Sequence, residues 1–232
     1  MGKRIIQQRR GKGGHVYKVR NKAFTIRPGY PSDLSGEWKV VKLIPSMGHS
    51  VPIARFLNKE GKSFCNFAVN LLYVGQKIKV GGNKPGDINK LEDLKNGTEI
   101  FNIESKPKDG GKFVRTGGNF ATVAVKEKGL VKVLMPSKRE KKFDVNCRAT
   151  VGRCAGDGRI DKPILKAGKK FFIMKSKSKL WPRTSAVAMN AIDHPFGSGR
   201  GKRVKSKIAK RNAAPGKKVG HIRPSRTGRK KR

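Results

Sequence analysis

"NFATVAVKEKGLVKVLMP", residues 119–136, decides how the fold of this chain reads. Apolar and polar residues alternate on both sides of "KEKG", and Gly129 stands where a tight turn needs a residue free to take positive φ. A period of two about a central turn is a β-hairpin. Downstream, "PSKRE" (136–140) predicts a second hairpin into "EKKFDVN" (140–146), followed by "ATVGRC" (149–154) and "KKFFIMK" (169–175) as further strands. Upstream lies "TEIFNIES" (98–105). Before Pro85 come "EWKVVKLIP" (37–45), "PIARFLN" (52–58), "KSFCNFAVN" (62–70) and "QKIKVGG" (76–82). Short β-branched and aromatic runs at a spacing of about 8–12 residues, each closed by a turn signal, predict small barrels or sandwiches. Each half holds about five strands, too few for a large sandwich. The expectation is therefore an all-β chain with two small barrels in tandem. Helix-period spacing is weak and confined to "GDINKLEDLKNG" (86–97), which reads as a loop with at most one helical turn.

Charge divides the chain. There are 56 Lys and Arg against 15 Asp and Glu, a net +41. Residues 1–30 carry nine of the basic residues and no acid, and residues 175–232 carry nineteen with Asp193 as the one acid. Repulsion on this scale gains nothing for folding and calls for a polyanionic partner. Nucleic acid fits best, because phosphate neutralisation releases counterions and drives binding without sequence requirements. An anionic membrane fits less well. No apolar run approaches the ~20 residues of a membrane span, and the start "MGKRIIQQRRGKGG" has no signal-peptide core. Gly2 has Ile6 where a myristoylation signal wants Ser or Thr. The segment 197–232 has two Val, two Ile and no aromatic residue, so burial cannot offset about 1–2 kcal/mol of backbone entropy per residue. Alone in water it is expected to be disordered. Four regions follow: a basic extension over 1–35, a first barrel over 36–83, a second over 84–176, and a basic extension over 177–232.

Several chemistries can be weighed on residue types. Cys65, Cys147 and Cys154 form neither a disulfide framework nor a zinc set and read as small thiols in strands. "GSGRGK" (197–202) has one residue too few between its glycines for a P-loop, and Arg203 replaces the required Ser or Thr. "GKGGHV" (11–16) follows no strand. His15, His49 and His221 are scattered and read as solvent- or RNA-facing. Asp193 and His194, eight and nine residues after Ser185, hold the ingredients of an acid–base site. Adjacent side chains do not normally face each other, however. Pro195 extends His194, and no nucleophile elbow accompanies Ser185. The alternative is a turn in which Asp193 accepts backbone N–H groups, Pro195 fixes the chain, and Gly197 and Gly199 allow close approach to RNA. His194 then stacks on or hydrogen-bonds to a base or phosphate.

The candidate nucleic-acid contacts follow from order and charge. Arg55, Arg115, Arg148 and Arg153 lie in or beside predicted strands, where a guanidinium is held in place for phosphate or base. Arg9, Arg10, Lys12, Arg183, Arg200, Lys202, Arg203, Lys210, Arg211, Arg223 and Arg226 lie in the extensions. Asn190 belongs to the turn that carries His194. Trp181 is either a cap on a barrel end or a stacking platform where the tail leaves the body.

"VAMNAIDHPFGSG" (187–199), "TGGNFATVAV" (116–125), "CRATVG" (147–152) and "GTEIFNIE" (97–104) together resemble the universal large-subunit ribosomal protein L-two family. "DHPFG" and "GKRIIQQRRGKG" resemble its archaeal and eukaryotic branch. Three departures mark the chain: Ser185-Ala186 replaces the usual Arg-Gly, "GSG" replaces Gly-Gly-Gly, and residues 15–35 are unusual. The resemblance implies an OB-fold barrel followed by an SH3-like barrel. It also implies a structural, non-enzymatic constituent of the large ribosomal subunit, located in the cytoplasm on the ribosome. Its implied partners are large-subunit rRNA, neighbouring ribosomal proteins and the small subunit across the interface, with no membrane. The C-terminal extension would run toward the peptidyl-transferase region. No cofactor or metal site of the chain's own is implied, only magnesium ions accompanying bound rRNA. Two other classes compete: an enzyme using Asp193 and His194, and a general nucleic-acid-compacting protein, which has little need of two barrels.

Overall fold

The computed structural model describes residues 2–127, 129–199 and 207–226. The chain packs into two compact units, one of residues 20–165 and one of residues 1–19 with 166–232.

The unit over 20–165 is built from two antiparallel sheets, as the alternating runs predict. In the first, β1 (Glu37–Ile44), β2 (Ile53–Leu57), β3 (Ser63–Phe67) and β4 (Lys77–Lys79) stand in the order β3-β2-β1-β4. The register shifts between Val40 and Lys42 where β1 pairs with β2, a bulge that bends the strand. The inward positions Trp38, Val40, Phe56, Phe64 and Ile78 are all buried. Phe64 packs edge-on to Trp38 at 4.8 Å and stacks on Phe56 at 4.9 Å. The second sheet contains β5 (Ile88–Lys90), β6 (Glu99–Phe101), β7 (Ala121–Glu127), β8 (Leu130–Leu134), β9 (Glu140–Asp144) and β10 (Arg148–Val151). Their order is β5-β10-β6-β7-β8-β9. Glu127 pairs with Leu130, and Gly129 just before β8 has φ +74, as the opening stretch requires. Leu91, Leu94, Ile100, Ile103, Val131 and Val133 fill its core with no exposure at all. Each such side chain is worth roughly 1.5–3 kcal/mol when fully buried. A third cluster (Val51, Phe67, Val69, Phe101 and Cys154) draws on both sheets, and a bridge joins Val69 to Cys154. The described residues are thus mostly sheet with few helices, and no ladder among them closes either sheet into a ring.

Two local expectations need correction. "GDINKLEDLKNG" begins with strand β5, fixed by Asp87. This buried side chain accepts N–H groups from Lys79 (2.8 Å) and Lys84 (2.9 Å). "KKFFIMK" is not a strand but part of helix α2 (Ala167–Ser176). Four consecutive apolar residues carry neither period, and Met174 among them and the flanking Ala and Lys are good helix formers.

The second unit has almost no apolar core, and Ile5 and Ala209 are its buried hydrophobic residues among those described. It contains α1 (Ile6–Gly11), α2 and a 3-10 turn over Ala186–Ala188. A parallel pair, β11 (Ile208–Ala209) with β12 (His221–Ile222), completes it. Backbone hydrogen bonds hold it, including Lys3 N–H to Ile192 O at 2.8 Å and His221 N–H to Lys207 O at 2.7 Å. Within 197–232, which composition reads as disordered alone in water, the described residues include this parallel pair. Backbone groups of one extension satisfy those of the other, a source of order that hydrophobic composition does not register.

Candidate nucleic-acid interface

The body arginines separate into distinct roles. Arg148 is buried against the fully buried carboxylate of Glu104, donating through Nη2 at 2.7 Å and Nε at 3.1 Å. Its Nη1 donates to Pro31 O at 2.8 Å, so every arm of the guanidinium is committed inside the fold. This withdraws Arg148 from the phosphate-binding candidates: a β-strand position fixes an arginine, but here it points inward. Arg115 is half-buried, donates to Pro28 O at 2.6 Å and lies over the Phe67 ring at 4.6 Å. Desolvation pushes its pKa down. It braces residue 28 and offers little to an outside anion. Arg153 is exposed and forks onto Glu99, with both N···O distances 2.5 Å, while stacking over Phe120 at 4.2 Å. The hydrogen bond to Arg153 lowers the Glu99 pKa and raises that of Arg153. Arg55 is exposed on β2 with one 3.5 Å contact to Ser63 Oγ, open to a phosphate.

In the unit of residues 1–19 and 166–232 the candidates lie at the surface. Arg9 and Arg10 occupy the last turn of α1, and both are exposed, as are Lys12, Arg183, Asn190, Lys210, Arg211, Arg223 and Arg226. Arg200, Lys202 and Arg203 lie outside the described residues. Trp181 is half-buried with Lys170 Nζ 5.3 Å from its ring centre, a cation–π contact from α2.

The turn around His194 is held differently from the expected way. The N–H groups of Asp193 and His194 both donate to Asn190 O, at 3.0 and 3.2 Å. Gly197 N–H donates to His194 O at 2.8 Å and Ser198 N–H to Met189 O at 3.1 Å. His194 Nδ1 accepts the Phe196 N–H at 3.0 Å across Pro195. The side chain that caps the turn is therefore the imidazole, whereas the Asp193 carboxylate faces Lys3 Nζ at 3.9 Å. Gly197 is required because a Cβ there would lie 2.2 Å from Asn190 O, and Gly199 has φ +105. In a catalytic triad Nδ1–H donates to a carboxylate. Here Nδ1 is an acceptor occupied by backbone, and burial lowers the pKa of the ring. This is a folded turn, not an acid–base pair.

Sequence reasoning missed a buried polar network in the body. Tyr30 Oη donates to Asn102 O at 2.9 Å and lies 2.6 Å from Thr150 Oγ1. Asn66 Nδ2 donates to the same Thr150 oxygen at 3.1 Å, and Asn102 Nδ2 to Asn66 Oδ1 at 2.7 Å. Its members are up to 120 residues apart, beyond any local pattern. The one available signal was polar residues (Asn66, Asn102, Glu104, Thr150) inside otherwise apolar strands. His49 is also half-buried, its Nδ1 2.7 Å from Ser46 Oγ and its ring between Phe24 and Phe67, rather than facing solvent. The cysteines are free, and burial pushes Cys147 up to about 11 and Cys154 up to about 12, so both stay neutral thiols. No cluster of metal-ligating side chains occurs among the described residues. Nor is any described helix long and apolar enough to cross a membrane.

What remains chemically is a pair of scaffolds bearing uncompensated cations. Were all 15 acids paired, the net +41 would be untouched. Comparison with known proteins agrees with that picture. Residues 84–215 match the family model described as Ribosomal Proteins L2, C-terminal domain. The large ribosomal subunit protein uL2 of Archaeoglobus fulgidus is 43% identical over 98% of this chain and 99% of its own length. That of Methanococcoides burtonii is 41% identical over 99% of this chain and 100% of its own. With the family model covering more than half of its residues and archaeal relatives aligned nearly end to end, the chain belongs to the uL2 family of large-subunit ribosomal proteins.

Proposed function

We propose that the chain is a structural constituent of the large ribosomal subunit that binds its rRNA, supports assembly and the peptidyl-transferase region, and takes part in subunit association. The carrying observation is the excess of 41 positive charges, with extension cations such as Arg9, Arg10, Lys210 and Arg211 exposed. Fixed scaffolds presenting Lys and Arg to phosphates bind by counterion release and position the RNA without reading its sequence. The names of the archaeal relatives support the assignment to the large subunit, and with it a cytoplasmic location on the ribosome. Neighbouring ribosomal proteins and the small subunit are the further partners. The reading needs no cofactor of the chain's own, only the magnesium ions that accompany rRNA.

The finer architecture belongs to the same proposal. The sheet over 37–79 is the framework of an OB-like barrel within 36–83, supported by the bulge at Val40 and Lys42. The sheet over 88–151 is that of an SH3-like barrel within 84–176. Residues 1–35 and 177–232 are the RNA-penetrating extensions. The rRNA-facing set comprises Arg9, Arg10, Lys12, Arg55, Arg153, Trp181, Arg183, Asn190, His194, Lys210, Arg211, Arg223 and Arg226, and the flanking Arg200, Lys202 and Arg203.

Equilibrium binding of the full chain to a large-subunit rRNA transcript tests this. Six to ten phosphate contacts cost about 10³–10⁵ in affinity between roughly 50 and 200 mM salt. Salt-insensitive binding, or equal affinity for any duplex DNA, refutes the proposal.

A further inference from the structure

Within the unit of residues 1–19 and 166–232, a cleft of about 760 Å³ opens among three segments distant in sequence: residues 2–5, 191–195 and 214–217. The segments are closely fitted. Lys3 N–H donates to Ile192 O at 2.8 Å, and Gly216 lies so near Gln8 that a Cβ would come within 2.8 Å of Oε1. The volume falls within the roughly 300–1,000 Å³ of small-ligand sites. Its walls are of two kinds. Lys3, Arg4 and Lys217 supply positive charge, whereas Ile192 and Pro215 supply apolar surface. His194 also lines it, and because Nδ1 accepts the Phe196 N–H, the neutral ring carries its proton on Nε2. The one polar group left to the imidazole is therefore an N–H donor.

Arg4, Lys217 and Lys3, the last with its Nζ 3.9 Å from Asp193, stand beside apolar surface and one N–H donor, and suit a ligand that is anionic at one end and flat, apolar-faced and acceptor-edged at the other. A free phosphate would leave the apolar surface unused, and an apolar peptide would leave Arg4 and Lys217 without an anion. We propose that the cleft takes one unstacked nucleotide of the large-subunit rRNA. Its phosphate lies at Lys3, Arg4 and Lys217, its base on Ile192 and Pro215, and a base-edge acceptor on His194 Nε2–H. Splayed bases held on side chains and read at their edges are the usual route to RNA recognition. The inference rests on the rRNA-binding reading above.

The test is chemical footprinting and salt titration of the full chain on a large-subunit rRNA transcript. Ala214→Trp fills the cleft without altering charge, and Lys217→Gln removes one cation. Ala214→Trp is expected to expose one nucleotide to base-modifying reagents while the remaining footprint persists. Affinity falls about tenfold with an unchanged salt slope, the scale of one lost base–side-chain contact. Lys217→Gln lowers the salt slope by about 0.7, the single-strand value for one phosphate. A wild-type footprint and affinity in both variants overturns the proposal, as does a loss in Ala214→Trp spread evenly over the footprint with Lys217→Gln unchanged. Absence of any salt-dependent footprint with the wild-type chain defeats the rRNA-binding reading itself.

Discussion

Replacing Glu104 by alanine should be among the most damaging single changes in the body of this protein. Its carboxylate has no solvent exposure and accepts from Arg148 Nη2 (2.7 Å), Nε (3.1 Å) and backbone N–H (2.8 Å), and from Gly110 N–H (3.1 Å). Removing it strands a guanidinium on a residue only 9% exposed, with Pro31 O and Ser32 O as its remaining acceptors. Breaking a buried pair from one side costs about 3–5 kcal/mol. That is a large part of the about 5–15 kcal/mol that holds a typical domain folded. With a urea m-value of about 1–3 kcal/mol/M, the midpoint should fall by roughly 1–5 M at constant m. The assay is urea unfolding followed by Trp38 fluorescence in a Trp181→Phe background, which isolates the unit containing Glu104 because the chain has two tryptophans. Glu104→Met combined with Arg148→Leu removes both charges and should recover at least about half of the loss, since hydrophobic replacement of a buried pair is often neutral. The recovery is incomplete because Gly110 and Arg148 still lack acceptors for their N–H groups. A cost below about 1 kcal/mol for Glu104→Ala, or a double variant no more stable than the single one, would refute the reasoning.

Three further outcomes are expected. Burial pushes the Tyr30 phenol well above its ordinary 10.0, with the nearby Glu104 charge adding to the shift. Its neutral form therefore contributes stability that is complete below pH 10 and lost as pH rises through the elevated folded value. Tyr30→Phe should flatten that alkaline slope in pH-dependent urea midpoints while costing about 0.5–1.5 kcal/mol at neutral pH. Gly197→Ala sets a Cβ 2.2 Å from Asn190 O, so rRNA protection around the turn should be lost while Trp38-monitored stability stays unchanged. Protonating His194 converts Nδ1 from acceptor to donor and breaks its bond to Phe196 N–H. Because burial holds its pKa below the ordinary 6.5, that bond is complete above 6.5 and lost as pH falls through the lower folded value. Amide exchange at Phe196 should accelerate only on the acid side.

The sheets were legible because their rule is local. Alternation and turn glycines in 119–136 place strands β7 and β8 and the Gly129 turn with no knowledge of the rest of the chain. The same rule fails where four apolar residues run together, as in α2, and where a strand has only the three residues of β5. Partnership was not legible at all. Arg148 in "CRATVG" and Arg55 in "PIARFLN" look alike as strand arginines. One ends against Glu104, 44 residues away, and the other in solvent, because register alone decides which face each takes. His194 stands out in the sequence through its neighbours Asp193 and Pro195. Its role as the cap of the turn, displacing Asp193 from that role, depends on a backbone N–H whose direction no composition encodes.

The acids are distributed unevenly between the two units of this very basic chain. Glu104 lies within a core, Glu99 holds Arg153, Glu37 reaches Lys79 at 3.0 Å, and Asp109 reaches Lys112 at 3.1 Å, all in the unit of residues 20–165. Only the first of these is strongly shielded from water, and exposed pairs are worth about 0–1 kcal/mol each. Their effect is less to add stability than to lower cation density where two sheets must pack. The other unit keeps Asp193 beside Lys3 and leaves most of its charge unanswered. Self-repulsion is thereby concentrated where hydrophobic burial is least, in segments held by backbone hydrogen bonds. Neutralisation by phosphate should accordingly stabilise that unit far more than the sheets. The gain in urea midpoint on adding rRNA should then appear in Trp181 fluorescence rather than in Trp38. An equal gain in both probes would show that the charge division has no such consequence.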